Sequence, residues 1–317
     1  MAALKLPSHP SRPVMVVIVG MTGAGKSTFT SLASGQQVKI GDGLEPCTQD
    51  PRAVRFMLDE REVILIDTPG FDDSQRNDLE ILEDIAKWMA REGLTKNHSV
   101  DGLILLHPIT DLEDSRDREK RGLEKRRTRL IQSILGPDAY ERVVIATTMW
   151  GVYDSWGEKR AERMLRFRRE YGVWRAFCAG GATVTKHDNT PESAHTIIRS
   201  IMDKSRGLER VDTLLQRELD SNNGGRFTDT TLGKELKKCL EEEISRIEDE
   251  ILKHRKSRPD DRFRKSRDYH ERWLWKDWEE QNQNLTKDLE HRLAQLKRLN
   301  SFYSRLLQFW SKMFTSR

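Results

Sequence analysis

Cysteine is scarce. The 317 residues hold three, Cys47, Cys178 and Cys239, far apart and odd in number. That argues against a disulfide framework and fits a reducing compartment. None of the three sits at a metal-ligand spacing. A run of about 18 apolar residues is also missing, so no membrane-crossing helix is expected. The opening MAALKLPSHPSRP lacks the apolar stretch that a secretory leader needs. Strong charge imbalance is absent as well. The formal net charge is +4, too mild to make nucleic acid the expected partner. A cytoplasmic protein is the expectation. With 36% hydrophobic and 33% charged residues, the chain can bury one good-sized core plus a smaller appendage under a heavily charged surface.

Residues 1–12 are rich in Pro and Ser and read as a flexible arm. Continuous apolar runs at 14–20, 62–70, 102–109 and 142–148 read as buried strands. A weakly alternating run at 53–59 reads as an edge strand, and 181–187 as a last short strand. Helical periodicity lies between them, at 26–34, 77–93, 116–134, 158–177 and 191–220. Buried strands alternating with helices predict an α/β domain over 13–220, with a mostly parallel sheet covered on both faces. SNNGGRF at 221–227 opens a linker extending to 231. Beyond it, Leu232, Leu236, Leu240, Ile244, Ile247 and Ile251 fall at three- and four-residue spacing. After Pro259 the spacing resumes at Leu285, Leu289, Leu293, Leu296 and Leu299. This predicts a helical hairpin or coiled-coil-like tail over 232–317, turning near Pro259.

The chemistry is concentrated early. GMTGAGKS at 20–27 matches G-x-x-x-x-G-K-[S/T] and lies between a buried strand and a helix, the context that a P-loop requires. Its residues Gly20, Thr22, Gly23, Ala24 and Gly25 wrap backbone N–H groups around phosphate oxygens, and Thr28 continues the set at the helix start. Lys26 reaches the terminal phosphates, and Ser27 holds Mg²⁺ through its hydroxyl. DTPG at 67–70 follows a strand about forty residues later. Asp67 approaches Mg²⁺, and the Gly70 N–H contacts a terminal phosphate. In the intervening EPCTQD, Thr48 is the better-placed candidate for a threonine that closes on Mg²⁺ and the last phosphate; Thr22 and Thr30 are worse placed.

This order of P-loop, intermediate Thr and DTPGFDD resembles the TRAFAC class of P-loop GTPases, nearest the septin, Toc and immunity-associated (GIMAP) branch. Together with LHPITD at 106–111 and TTMW at 147–150, it is similar to fungal G-domain-containing proteins of largely unknown role. The resemblance spans about residues 14–205. It implies a P-loop NTPase three-layer sandwich, GTP/GDP with Mg²⁺ as ligands, a regulatory switch, and a homodimer formed through the G domain.

One group of that class is lacking. The turn after the fourth buried strand ordinarily reads N/T-K-x-D, and its Asp reads guanine. Here Thr148 takes the Asn/Thr place, Met149 the Lys place and Gly151 the Asp place. Met149 can lie over a base and Trp150 can stack on one, although a core position for Trp150 is equally expected. Asp154 lies three residues further on. TKHDNT at 185–190 takes the place of the last base-contacting loop with a poor match. GTP is the expected ligand, with ATP or a relaxed purine preference behind it. The residue after the DTPG glycine is Phe71, which cannot orient water, so slow intrinsic hydrolysis is expected. His107, Asp72, Asp73 or an Arg from 116–129 of a second copy are the groups that could assist. For His107 a packed strand-end position is the favoured reading.

The alternative is an interaction protein that binds nucleotide but hardly turns it over and works through its tail. After Glu290 there are six bases and no acids. With its bulky apolar groups, 291–317 is a candidate for a membrane surface or a helical partner. Nucleic acid ranks last, because acids interleave with the bases of the helices at 116–129 and 158–175.

Overall fold

The computed structural model describes residues 12–37, 52–68, 70, 100–110, 118–152, 155–207, 213–221 and 227–315. The chain divides into two compact units, one built on residues 1–218 and a second of residues 219–311.

In the first unit, six strands form one sheet: β1 (Val14–Gly20), β2 (Arg52–Leu58), β3 (Arg61–Asp67), β4 (Gly102–Pro108), β5 (Val143–Thr148) and β6 (Thr183–Lys186). Their spatial order is β2-β3-β1-β4-β5-β6. All pairings are parallel except β2 with β3. Every residue of β1, β4 and β5 is buried, as strands covered on both faces must be. Alternation along the strands divides their side chains between two cores. Met15, Val17 and Val19 of β1 join Ile64, Ile66, Leu103, Leu105, Val143 and Ile145 on one face. Val14, Val16 and Ile18 join Val63, Leu65, Ile104, Leu106, Val144 and Ala146 on the other.

Helices α1 (Lys26–Ser34) and α5 (Pro191–Gly207) cover the second face through Phe29, Ala33, Ile197, Ile198 and Ile201. Helices α2 (Arg118–Leu135), α3 (Ser155–Glu170) and α4 (Arg175–Ala179) cover the first through Ile131, Ala161 and Phe177. The result is the three-layer α/β sandwich expected of a P-loop NTPase. β2 is the expected edge strand. It runs antiparallel to β3 across a tight turn in which Asp59 and Glu60 both take positive φ.

Three expectations need adjustment. The helix expected at 158–177 is two helices, α3 and α4, parted at Tyr171–Trp174. Gly172 sits too close to the Arg168 backbone for a side chain, and the turn sinks Trp174 into the core at 1% exposure. The helix expected at 191–220 is α5 plus a separate α6 (Leu214–Ser221). The linker is shorter than expected, because a 3₁₀ turn occupies Phe227–Asp229 and the tail helix starts at Thr231, where the Thr230 hydroxyl accepts the Gly233 N–H at 3.0 Å. Of the arm expected at 1–12, residues 1–11 lie outside the described residues, as does the helix expected at 77–93, while Arg12 pairs with Asp101 at 2.6 Å.

The second unit is the expected antiparallel helical hairpin, α7 (Thr231–Lys256) and α8 (Tyr269–Thr315). The stripe Leu232, Leu236, Leu240, Ile244, Ile247 and Ile251 is buried. Near the turn, the Trp278 indole donates to the His254 carbonyl at 2.9 Å, and the two rings stack. Further along, Arg292 pairs with Glu243 at 2.9 Å. The connection passes through Pro259, as expected. Among the described residues, no helix is long and apolar enough to cross a membrane.

Candidate nucleotide and magnesium site

The site lies at the carboxyl end of the parallel strands, where β1 gives way to α1. Gly20 ends β1, and Gly23 and Gly25 take φ of 78° and 91°. Gly25 caps α1 with no side-chain acceptor for the first helical N–H groups. A Cβ on Gly23 or Gly25 would meet nothing within 4 Å. Backbone conformation, not crowding, therefore requires these glycines, and it leaves a concave ring of N–H donors open to an anion. Thr22 and Gly23 at its rim are exposed, Ser27 and Thr28 half-buried, and Ala24 fully buried.

One threonine fixes this loop to the sheet, and a second ties the turn after β3 to β1. The Thr148 hydroxyl at the end of β5 donates to the Ala24 carbonyl at 3.1 Å. The Thr68 hydroxyl after β3 donates to the Ile18 carbonyl at 2.7 Å. Thr148, expected at the Asn/Thr place of the base-reading turn, thus braces the phosphate loop.

Lys26 is 7% exposed. Its Nζ donates to the Gly20 and Met21 carbonyls at 3.2 and 2.8 Å. Burial pulls its pKa down to about 8, against the opposing pull of Asp67. Burial of this ammonium, hydrogen-bonded by neutral carbonyls among the described residues, outweighs the pull of Asp67, and an anion in the loop would supply the missing charge. Asp67 is fully buried at the end of β3. Its Oδ2 accepts from the Ser27 hydroxyl at 2.9 Å, while its Oδ1 has no hydrogen-bond partner among the described residues. Burial raises its pKa, opposed by Ser27, Lys26 and Arg52. An orphaned carboxylate oxygen beside a serine hydroxyl and below an anion cradle fits Mg²⁺ and its water shell. Among the described residues, no group of three His, Cys, Asp or Glu side chains converges for a metal. One carboxylate, a hydroxyl and phosphate oxygens are the donor set by which Mg²⁺ is usually bound in such sites.

Gly70 closes over the loop from the other side. A Cβ here would lie 2.3 Å from the Thr22 hydroxyl and 2.5 Å from the Thr22 nitrogen, so only glycine permits this approach. Thr48, Phe71, Asp72, Asp73 and Asp154 lie outside the described residues.

The base end decides between the two readings of Trp150. Trp150 does not present its ring for stacking. It is 6% exposed and packs in the core. Its indole donates to Thr147, and Lys186 covers its ring at 4.6 Å. Its core reading is therefore the one that holds. Met149 is exposed at 42%, with φ of 64°, as are Gly151 and Val152 after it. His107 is also packed away, as favoured. Burial and the nearby Arg168 lower its pKa to about 3, and it meets Trp174 edge-on at 5.0 Å. A neutral, buried imidazole is a poor candidate for activating water. Sequence reasoning underrated Asp188. The His187 N–H donates to the Thr147 carbonyl at 2.8 Å, which sets Asp188 just beyond the β5–β6 pairing, alongside the Met149 turn. The Thr190 hydroxyl and other hydrogen bonds hold its carboxyl below the usual range. The only signal for it was the weakly matching TKHDNT.

A P-loop ahead of a buried lysine, with a serine–aspartate pair under it and a glycine turn closing over it, defines a P-loop nucleotide-binding domain. Residues 15–137, under half of the chain, match the profile of the family described as 50S ribosome-binding GTPase, in line with the resemblance of the sequence to TRAFAC-class P-loop GTPases. GTP with Mg²⁺ is the ligand pair of that class. The chain is similar to GTPase Era of Treponema denticola, 36% identical over 81 residues that cover 25% of this chain and 27% of Era. It is also similar to GTPase Der of Methylibium petroleiphilum, 23% identical over 210 residues that cover 61% of this chain and 44% of Der. It therefore spans less than half the length of these curated relatives. Among solved structures, Toc33 from Arabidopsis thaliana in complex with GDP and Mg²⁺ aligns with a TM-score of 0.45 and 18% identity. That alignment covers 61% of this chain and 84% of Toc33.

Proposed function

We infer that this chain is a Mg²⁺-dependent GTP-binding switch with slow intrinsic hydrolysis, quickened when two G domains pair. The observation that carries the reading is the trio Lys26, Ser27 and Asp67 under the glycine cradle, with a buried carboxylate oxygen left unpartnered. A protein that merely displayed its tail would have no use for such a magnesium site. Lys26 binds and orients the terminal phosphates, Ser27 and Asp67 hold the metal, and Gly70 presents its N–H to the terminal phosphate. Bound Mg²⁺ would neutralise charge on the β- and γ-phosphate oxygens.

Slow turnover rests on Phe71, which has no group to orient water, and on His107, whose ring is buried and neutral. Completion of the site then falls to a second copy. The basic helix α2 follows β4 and its LHPITD loop, which leaves the sheet at its nucleotide edge. The test is GTP turnover per molecule as protein concentration rises from nanomolar to tens of micromolar. The expected result is a rate that climbs at least tenfold and saturates with dimer formation. A flat rate across that range would sink the pairing.

Discrimination for guanine over adenine is expected to be weaker than in GTPases with the full guanine-reading turn, because Gly151 stands in the place of the Asp. Asp188 follows His187, whose N–H meets the Thr147 carbonyl at the end of β5, and a hydrogen bond to an ionised group contributes about 1.5–3 kcal/mol. Asp188→Ala should reduce the GTP-over-ATP affinity ratio about tenfold, as read from competition binding. An unchanged ratio would show that the base is read elsewhere.

A further inference from the structure

The turn of the helical hairpin in the second unit concentrates charge of one sign. Between Lys253 and Arg272 there are nine Lys/Arg and four Asp/Glu. Most of those acids are occupied locally. Asp260 pairs with Arg262 at 2.7 Å, and Asp261 pairs with Arg258. Asp268 accepts the backbone N–H groups of His270 and Glu271 at the start of α8. Lys253, Arg255, Lys256, Arg264, Lys265 and Arg267 project as exposed side chains around the turn.

Aromatic residues here fall into two sets. Trp275 is buried and Trp278 half-buried, and both rings lie near the Arg258 guanidinium, at 5.4 and 5.8 Å. This set holds the turn against α8. Tyr269 and Trp273, one helical turn apart, form the other set and are 77% and 49% exposed. Arg272 and Lys276, both exposed, flank them on the same face of α8. The outer aromatics contribute little to the core of the hairpin.

We propose that this turn is a docking surface for anionic lipid bilayers, with Tyr269 and Trp273 entering the headgroup layer and the surrounding bases neutralising lipid phosphates and carboxylates. Charge complementarity selects an anionic partner. The geometry selects a bilayer over a nucleic acid strand. A convex helix–turn–helix end with protruding Trp and Tyr suits a deformable planar interface, where amphipathic rings settle at headgroup depth. A strand would need a groove with successive stacking platforms. The surface is separate from the 291–317 segment that composition alone suggested, and it does not depend on the nucleotide reading.

The test is co-flotation of the full chain with vesicles of phosphatidylcholine alone or with 30 mol % phosphatidylserine, at low and high salt. Binding to the anionic vesicles, weakened by salt and absent on neutral ones, is expected. A triple variant, Arg264→Ala/Lys265→Ala/Arg267→Ala, should weaken it on the order of 100-fold, at about 1 kcal/mol per base. Trp273→Ala should weaken it about tenfold. The control Lys234→Ala/Lys237→Ala/Lys238→Ala removes the same charge from exposed positions on α7 and should leave binding within twofold. Unchanged helical circular dichroism keeps loss of folding out of the comparison. Equal losses in the two triple variants would overturn the proposal. So would binding to neutral vesicles at full strength, or displacement of the vesicles by single-stranded RNA through the same residues.

Discussion

Lys26→Ala is expected to lower GTP affinity about 1,000-fold, enough to remove binding at micromolar concentrations. The ammonium is buried, and among the described residues its Nζ donates to two backbone carbonyls. Removing one member of a buried, hydrogen-bonded charge pair costs about 2–5 kcal/mol, and Lys26 faces the most highly charged part of the ligand. The same burial predicts an opposite effect on the ligand-free domain. Lys26→Met keeps the volume and removes a charge the fold does not fully compensate, so the thermal midpoint without nucleotide should rise by about 2–4 °C at neutral pH. The sign with pH follows. The folded pKa of about 8 lies below the unfolded 10.5, so between these values the unfolded chain binds more protons. The ligand-free domain therefore gains stability as pH rises through that window. The nucleotide complex needs Lys26 charged, so its affinity should fall as pH climbs above about 8. Isothermal titration between pH 7 and 9.5 measures this. An affinity flat across the window would mean that Lys26 does not carry the phosphates.

Asp67→Asn should abolish the Mg²⁺ enhancement of GTP binding, a loss of about 100-fold when Mg²⁺ is present, while metal-free affinity changes by no more than about threefold. The orphaned Oδ1 and the Ser27 hydrogen bond on Oδ2 define the metal side of the site. Asparagine cannot supply the charge that a hard cation requires. It also relieves repulsion between the carboxylate and the phosphates, which is why the metal-free arm is nearly unchanged. Because burial raises the Asp67 pKa, the metal effect should fade on acidification earlier than an ordinary carboxylate would cause. Affinity measured with Mg²⁺ and with excess chelator separates the two arms. Equal losses in both would show that Asp67 supports the fold and not the metal.

Much of the G domain was legible because its central strands are continuous apolar runs and its phosphate loop is a contiguous motif. The alternation that divides β1 between two cores can be read from VMVVIVG once both faces are known to be covered. Other features depend on tertiary packing. The break between α3 and α4 comes from burial of Trp174 and the crowding of Gly172 against Arg168, and the charged flanks hide both. The Asp59–Glu60 turn takes positive φ at two residues that carry no glycine signal. Trp150 beside the base-reading turn has the composition of a stacking platform. The 3₁₀ turn at Trp150–Val152 instead places it in the core, with its indole bonded to Thr147. Thr148 shows the reverse. A threonine singled out for its place in the base-reading turn proves to be the brace on the Ala24 carbonyl.

The most direct test of the account is a binding titration of the purified full chain with fluorescent GTP and ATP analogues, each with Mg²⁺ and with chelator. The account predicts that GTP binds more tightly than ATP, and that Mg²⁺ strengthens the GTP complex by about 100-fold through Asp67 and Ser27. Binding of neither nucleotide, or GTP binding indifferent to Mg²⁺, would contradict it.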